Sequence, residues 1–414
     1  MTMKTIELSL SENYVSNWGT WEAIREIIQN AQDADKQGNE MKIHQEGNSL
    51  TITSKGVKLP ISSLVLGNTS KADEIELIGK YGEGYKLALI VLLRDGYKVS
   101  IQSGNDLWEP VFRYSNTYGT NVLCIDVYEN RYSCQSDTVF MIDGLTWGDI
   151  NELSVKSLAI RKAKGLPMGQ VIDSDYGQIL LDGTFNGRFY VEGLYIQDDD
   201  AFQYGYSFDS EIVQLDRDRS AINYYDLLRL TTDSLMHQNM DASIVETAIT
   251  SKKKDLHYLK DYYYSDVPDE LAEGYAKYFN DKHNIDEDTF VGTEQEVLLS
   301  GAEKTFVTNS VEAKIVNKGN GKESEYRRVQ SLATDKESSD AAWKVYSESK
   351  RKKLNDWIIQ NAKRLSDKQI NKFLDIVETM QPDRFHLIRD DVEDNLKTEI
   401  KKSKPKFRRC KNKW

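Results

Sequence analysis

Cysteine, long apolar runs and positive charge are all in short supply. The 414 residues include three cysteines, Cys124, Cys134 and Cys410. No two of them stand in a C-x-x-C spacing and no histidine pair lies near them. That leaves no zinc-ligand pattern and fits a reducing compartment. The longest apolar stretch, Leu87 to Leu93, is far short of the roughly 20 residues that a membrane-spanning helix needs. Met1-Thr2-Met3-Lys4 runs into an alternating strand, not into an apolar leader core. A cytoplasmic protein without membrane contact is the expectation. Lys and Arg number 54 against 66 Asp and Glu, a net charge of −12. That balance argues against a whole surface given to nucleic acid, though not against a local basic patch. What remains, 39% hydrophobic and 29% charged residues, is ordinary globular composition, and the length suits two or three domains.

The most informative stretch is Glu26-Ile27-Ile28-Gln29-Asn30-Ala31-Gln32-Asp33-Ala34, inside an amphipathic run from Trp21 to Ala34. Ile24, Ile27, Ile28 and Ala31 recur at helical spacing and form the buried stripe. Glu26, Asn30 and Asp33 fall at i, i+4 and i+7, so they share the neighbouring stripe. Two carboxylates and an amide then face one way at the edge of an apolar surface. An amide oxygen suits a hard cation, and a carboxylate suits the orientation of an attacking water. Taken alone, the pattern fits a solvated helix face equally well.

A second stretch, Gly79-Lys80-Tyr81-Gly82-Glu83-Gly84-Tyr85-Lys86, precedes an apolar helical run from Tyr85 to Leu93. Its glycines let backbone approach phosphate oxygens. The free amides and dipole of the following helix favour an anion there. Taken alone, it also fits a tight turn ahead of a core helix.

Together, in this order, the two stretches resemble the GHKL (Bergerat-fold) ATPase superfamily of gyrase B, Hsp90, MutL and MORC. Glu26 to Ala34 matches the superfamily's E-x-x-x-N-x-x-D-A helix, and Gly79 to Lys86 its glycine-rich lid, G-x-x-G-x-G-[FY]-K. Gly67-Asn68-Thr69-Ser70-Lys71 is similar to the T-S-K segment ahead of that lid, and Gly119-Thr120-Asn121-Val122 to the G-T-x-[VI] strand after it. The second signature, D-x-G-x-G, departs: Ser54-Lys55-Gly56-Val57-Lys58 has Ser54 for the aspartate and Lys58 for the last glycine. The resemblance covers roughly residues 10 to 160.

The resemblance implies ATP and Mg²⁺ as ligands. Asn30 would hold the metal and Glu26 would orient or deprotonate the attacking water. Asp33, Ser54, Gly56, Thr69, Ser70, Lys71, Gly79, Lys80, Tyr81, Gly82, Glu83, Gly84, Tyr85, Lys86 and Thr120 would line the nucleotide. Lys71, Lys80 and Lys86, with the amides of Gly82 and Gly84, would neutralise phosphate charge. The carboxylate at Glu26, and the lack of an H-box helix or receiver domain, favour hydrolysis over protein phosphorylation. The serine at position 54 weakens the charge-assisted bond to adenine. Slow ATP hydrolysis driving lid closure on a partner is thus the first expectation. A non-hydrolysing nucleotide-binding inhibitor or sensor with a degenerate adenine site is the second. A homodimer and a client protein are the partners such machines imply.

The fold expected is α/β (α+β). Residues 1–160 are expected to form a two-layer Bergerat sandwich of helices on a mixed or antiparallel sheet. Strands are expected at 5–10, 41–44, 50–53, 97–102, 107–114, 121–128 and 137–142, with a hairpin turn at Gly47-Asn48. Helices are expected at 21–34, capped by Thr20, and at 85–93 and 150–159, with a helical turn at 61–66. Residues 161–240 are expected to be a transducer-like α/β domain with strands at 177–181, 188–196 and 202–207 and a helix from Ala221. Within Asp216-Arg217-Asp218-Arg219, Arg217 and Arg219 are candidate γ-phosphate sensors by the same resemblance, or a self-neutralising surface turn.

Residues 241–396 are expected to be mixed α/β, then mostly helical, with a small unit at 289–308, a linker at Lys318-Gly319-Asn320-Gly321-Lys322, and helices at 343–365 and 367–380. The tail, 397–414, has nine Lys or Arg to one Glu, with Phe407 and Trp414. It is either a solubilising end or a contact for nucleic acid.

Overall fold

The architecture comes from a computed structural model. It describes residues 3–65, 84–133, 136–213, 215, 221–237, 240–259 and 267–334. The chain divides into two compact units, Met1–Asp266 and Val267–Trp414. The class is mixed α+β. Among the described residues no helix is long and apolar enough to cross a membrane.

The first unit begins with strand β1 (Met3–Ser11), helix α1 (Thr20–Lys36) and the hairpin β2 (Met41–Glu46) and β3 (Ser49–Ser54). Helix α2 (Gly84–Arg94) leads to β4 (Lys98–Ser103), β5 (Asp106–Ser115), β6 (Thr120–Tyr128) and β7 (Thr138–Asp143). These strands form a seven-stranded sheet in the order β1-β6-β5-β4-β7-β3-β2. Every pair in it is antiparallel. Alternation sends Leu50 and Ile52 of β3, Ile101 of β4, Ile125 of β6 and Phe140 and Ile142 of β7 to one face. There they pack with Ile24, Ile27 and Ile28 of α1 and Leu89 and Leu92 of α2 in one core.

Gly19, not Thr20, caps α1; the Glu22 carboxylate accepts from the Gly19 amide at 2.9 Å. On the open face of the sheet the Asp126 carboxylate, itself buried, takes two hydrogen bonds from the half-exposed Arg113 guanidinium, at 2.7 and 2.5 Å. Arg113 holds the Asp126 carboxyl below the usual aspartate range. In the unfolded chain that carboxyl protonates near pH ~3.9. The folded protein therefore binds fewer protons as pH falls through this region, and stability present above it is lost below. Asp126→Asn, which has no charge to pair with Arg113, is expected to be less stable than wild type at neutral pH and to close that gap between about pH 4 and pH 2, read by urea melts across that range.

Helices α3 (Trp147–Lys156) and α4 (Leu158–Ala163) are separated by Ser157, whose side chain caps α4. A single helix over 150–159 is therefore not what forms. Next come β8 (Val171–Ser174), β9 (Gly177–Leu180), β10 (Arg188–Val191), β11 (Leu194–Asp198) and β12 (Gly205–Phe208). They make a second, mixed sheet in the order β11-β10-β12-β9-β8. The stretch 188–196 is two strands, because Glu192 and Gly193 both take positive φ and reverse the chain. This sheet is fastened to the first layer. The Leu158 amide bonds Gly193 O at 2.9 Å and the Tyr190 hydroxyl bonds Val155 O at 2.9 Å. Helices α5 (Tyr224–Leu235) and α6 (Ala242–Thr250) follow.

The second unit holds α7 (Asp269–His283), β13 (Phe290–Gly292), α8 (Glu294–Ser300), β14 (Thr305–Val307), α9 (Ser310–Gly319) and α10 (Glu323–Thr334). The strands β13 and β14 pair in parallel across α8. Residues 318–322 are not a linker but a packed turn between α9 and α10. A Cβ on Gly319 would lie 2.0 Å from Ala272 O of α7, so only glycine lets the two backbones come this close. The helices expected at 343–365 and 367–380 and the basic tail lie outside the described residues.

Candidate functional site

Glu26 sits in the middle of α1, and the chain returns to it at the start of α2. A Cβ built on Gly84 would lie 2.1 Å from Glu26 Oε2. The carboxylate thus rests against the bare Cα of Gly84 in α2. Arg25 Nη2 stands 3.7 Å from Glu26 Oε1 on the other side. One turn on, Asn30 Nδ2 donates to Glu26 O at 2.9 Å. Its amide nitrogen is committed to the helix, so Oδ1 is the atom turned outward on the half-buried side chain. An outward amide oxygen one turn from a carboxylate is an oxygen-only donor set, which suits a hard cation such as Mg²⁺.

Tyr85 and Lys86 do not present themselves to a ligand. The Tyr85 hydroxyl donates to Ser63 O at 3.0 Å and lies 2.9 Å from Ser63 Oγ, and burial pushes it up to about 12. Lys86 is fully buried and its ammonium donates to Val65 O at 2.8 Å. Both side chains tie α2 to the segment that ends at Val65. Thr69, Ser70, Lys71, Gly79, Lys80, Tyr81, Gly82 and Glu83 lie outside the described residues, as do Arg217 and Arg219.

The other end of the site is built by β3 and the strand beside it. Ser54, the last residue of β3, follows Leu50 and Ile52 on the inner face and pairs with Thr138 of β7. Thr138 pairs in turn with Ser103 of β4. Three hydroxyls therefore form a row across neighbouring strands. Two already donate: Thr138 Oγ1 to Val57 O and Ser103 Oγ to Leu59 O, each at 2.7 Å. Gly56 takes φ 70° and its amide donates to Asp137 Oδ1 at 3.0 Å, while Lys55 pairs with Asp137 Oδ2 at 2.7 Å. Lys55 and the Gly56 amide hold the Asp137 carboxyl below the usual range.

Thr120 is not part of this end. It opens β6, four strands from β3, which is about 19 Å at ordinary strand spacing. It also pairs with Ser115, at the opposite end of β5 from Asp106, which faces Ser103. The threonine beside Ser54 is Thr138. Its signal in the sequence is the alternation Thr138, Phe140, Ile142, which points all three inward. A search for G-T could not see it because Asp137 stands where that pattern wants glycine.

Asp33 is fully buried, so its carboxylate is not exposed on the helix face shared with Glu26 and Asn30. A separate stripe of α1 faces the second sheet. Gln32 Nε2 donates to Glu192 O at 2.7 Å, and Lys36 bonds Glu192 Oε1 at 2.6 Å and Ser210 Oγ at 2.7 Å. Along that stripe Arg25 Nε, Gln29 Oε1 and Gln32 Oε1 are buried without a hydrogen-bond partner among the described residues.

No protein-family model matches the chain. A protein of Mycoplasma pneumoniae (strain ATCC 29342 / M129 / Subtype 1), described as an uncharacterized protein, is 25% identical to it over 217 residues, which is 49% of this chain and 83% of that protein.

Proposed function

We propose that the chain binds a magnesium–ATP complex along α1 and hydrolyses it slowly, and that the accompanying conformational change acts on a partner protein or nucleic acid. The observation that carries this reading is the contact of Glu26 Oε2 with Gly84. It brings the acidic–amide helix and the end of the glycine-rich segment to one point, as the resemblance to GHKL ATPases requires. Asn30 supports it, since its nitrogen is anchored and its oxygen is turned out.

In this reading Asn30 Oδ1 holds the metal and Glu26 orients the attacking water and receives its proton. The first amides of α2 face the phosphates. Bound there, Mg²⁺ supplies positive charge across the phosphate oxygens. From Glu26 to Asp33 the helix rises about 10 Å, which separates a phosphate end at Gly84 from a base end at Ser54 and Gly56. A second reading, nucleotide binding without turnover in an inhibitor or sensor, draws on two observations. Ser54 replaces an acidic group, and the Lys86 ammonium is bonded to Val65 O and not held open for phosphate.

Calorimetric titration with ATP and ADP, with and without Mg²⁺, beside a phosphate-release assay, tests both. ATP is expected to bind more tightly with Mg²⁺ present, and Asn30→Ala is expected to erase that gain while leaving metal-free binding in place. The loss expected is about tenfold, the size of one ion–oxygen contact. Binding with no phosphate release selects the second reading, and no binding at millimolar nucleotide overturns both.

A further inference from the structure

Resting on that reading, we infer that the base end of the site does not select adenine over guanine, so the chain accepts purine nucleoside triphosphates of either kind. A carboxylate only accepts hydrogen bonds; facing a purine it welcomes a 6-amino group and repels a 6-oxo group. Among the described residues, the cross-strand partners of Ser54 are Met41 and Thr138, and neither is a carboxylate. Of the hydroxyl row Ser54, Thr138 and Ser103, Ser54 alone is half-exposed.

The members of that row differ in what they have left to give. Thr138 and Ser103 are buried and have spent their protons on Val57 O and Leu59 O, so Ser54 is the hydroxyl of the row left to a ligand. Ser54 is half-buried and its hydroxyl makes no bond to the described residues, so it turns to donate or to accept as the base demands. A 6-amino group donates a hydrogen bond to Ser54 Oγ; a 6-oxo group accepts one from it.

The acidic groups of the neighbourhood are occupied. Asp137 accepts from the Gly56 amide on one oxygen and from Lys55 on the other. Asp106, opposite Ser103, accepts from the Asn130 amide at 3.1 Å and pairs with Lys58 at 3.4 Å. Asp33 is enclosed. Lys55 and Lys58 stand where the D-x-G-x-G signature has its first variable residue and its last glycine, and they pair with Asp137 and Asp106 respectively.

The test is a direct titration of the full chain with adenylyl and guanylyl imidodiphosphate and Mg²⁺. Wild type is expected to bind the two within about tenfold of each other. Ser54→Asp is expected to move the ratio toward the adenine analogue by about ten- to a hundredfold, the weight of a charge-assisted bond gained on one base and a repulsion met on the other. Ser54→Ala is expected to weaken both analogues by a similar factor. A wild-type preference for adenine beyond a hundredfold overturns the inference, and so does a ratio that Ser54→Asp leaves unchanged while the variant binds. These outcomes stand apart from failure of the nucleotide reading itself, in which neither analogue binds wild type at all.

Discussion

Glu26→Ala is expected to bind ATP as wild type does and to release phosphate at least a hundredfold more slowly, the range over which a positioned general base acts. Gly84→Ala is expected to reproduce most of that loss with the carboxylate still present. The methyl group of alanine would sit 2.1 Å from Glu26 Oε2, so the carboxylate must swing away. Displacing a catalytic group by about 1 Å costs on the order of a hundredfold in rate. The fold is expected to tolerate the change. The atom that yields is the far end of a flexible side chain, and Gly84 lies in a helix, a setting that favours alanine over glycine. A melting temperature within a few degrees of wild type, unchanged ATP titration and lost phosphate release is the expected set. A well-folded Gly84→Ala enzyme with wild-type turnover would sink the role given to Glu26, because the contact on which it rests would then not matter.

The sandwich was legible because its elements alternate or repeat with clear periods. The strands of the seven-stranded sheet fall within a residue or two of the expected ranges, and α1 and α2 carry unbroken apolar stripes. Where periodicity failed, a local conformational event had intervened. Glu192 takes positive φ, an unusual state for a glutamate, so nothing short of the structure marks 188–196 as a hairpin. Gly319 and Gly321 look like a flexible joint by composition, yet Gly319 is set by the Ala272 carbonyl beside it.

Of the site, the residues on one helix were legible because i, i+4, i+7 spacing fixes a shared face. Residues joined only by sheet order were not. Thr120 and Thr138 each begin a strand, and only the order β6-β5-β4-β7-β3 says which of them meets Ser54. Lys86 was misplaced for a related reason. A lysine beside a glycine-rich segment suggests a phosphate, but its side chain leaves α2 on the inward side, where Val65 O takes its proton.

Asp255→Ala is expected to cost about 3–5 kcal/mol, because three buried donors lose their acceptor at about 1–3 kcal/mol each. Asp255 is fully buried and accepts from three donors: the Gln203 amide at 2.7 Å, the Tyr204 amide at 3.2 Å and the Tyr206 hydroxyl at 2.7 Å. With alanine there, two amides and a phenol stay desolvated at one corner of the second sheet, and Tyr206 belongs to the aromatic stack with Phe189 and Phe208.

The same group gives a pH signature of known sign. Burial holds the Asp255 carboxyl above the usual aspartate value. Between about pH 4, where the unfolded chain titrates, and the higher folded midpoint, the folded protein binds more protons than the unfolded one. Stability contributed by this group therefore falls as pH rises through that window. Asp255→Asn, which does not titrate, is expected to cost less than Asp255→Ala and to close part of its gap to wild type as pH is raised from 4 to 7 in urea melts. A gap that widens over that range would mean that the bonds to the charged form outweigh burial. The corner that Asp255 ties belongs to the sheet whose Glu192 turn meets Gln32 and Lys36 of α1. Asp255→Ala is thus also expected to weaken the hold of that sheet on the helix carrying Glu26 and Asn30, seen as faster amide exchange at Gly193 and Ser210 before the seven-stranded sheet opens.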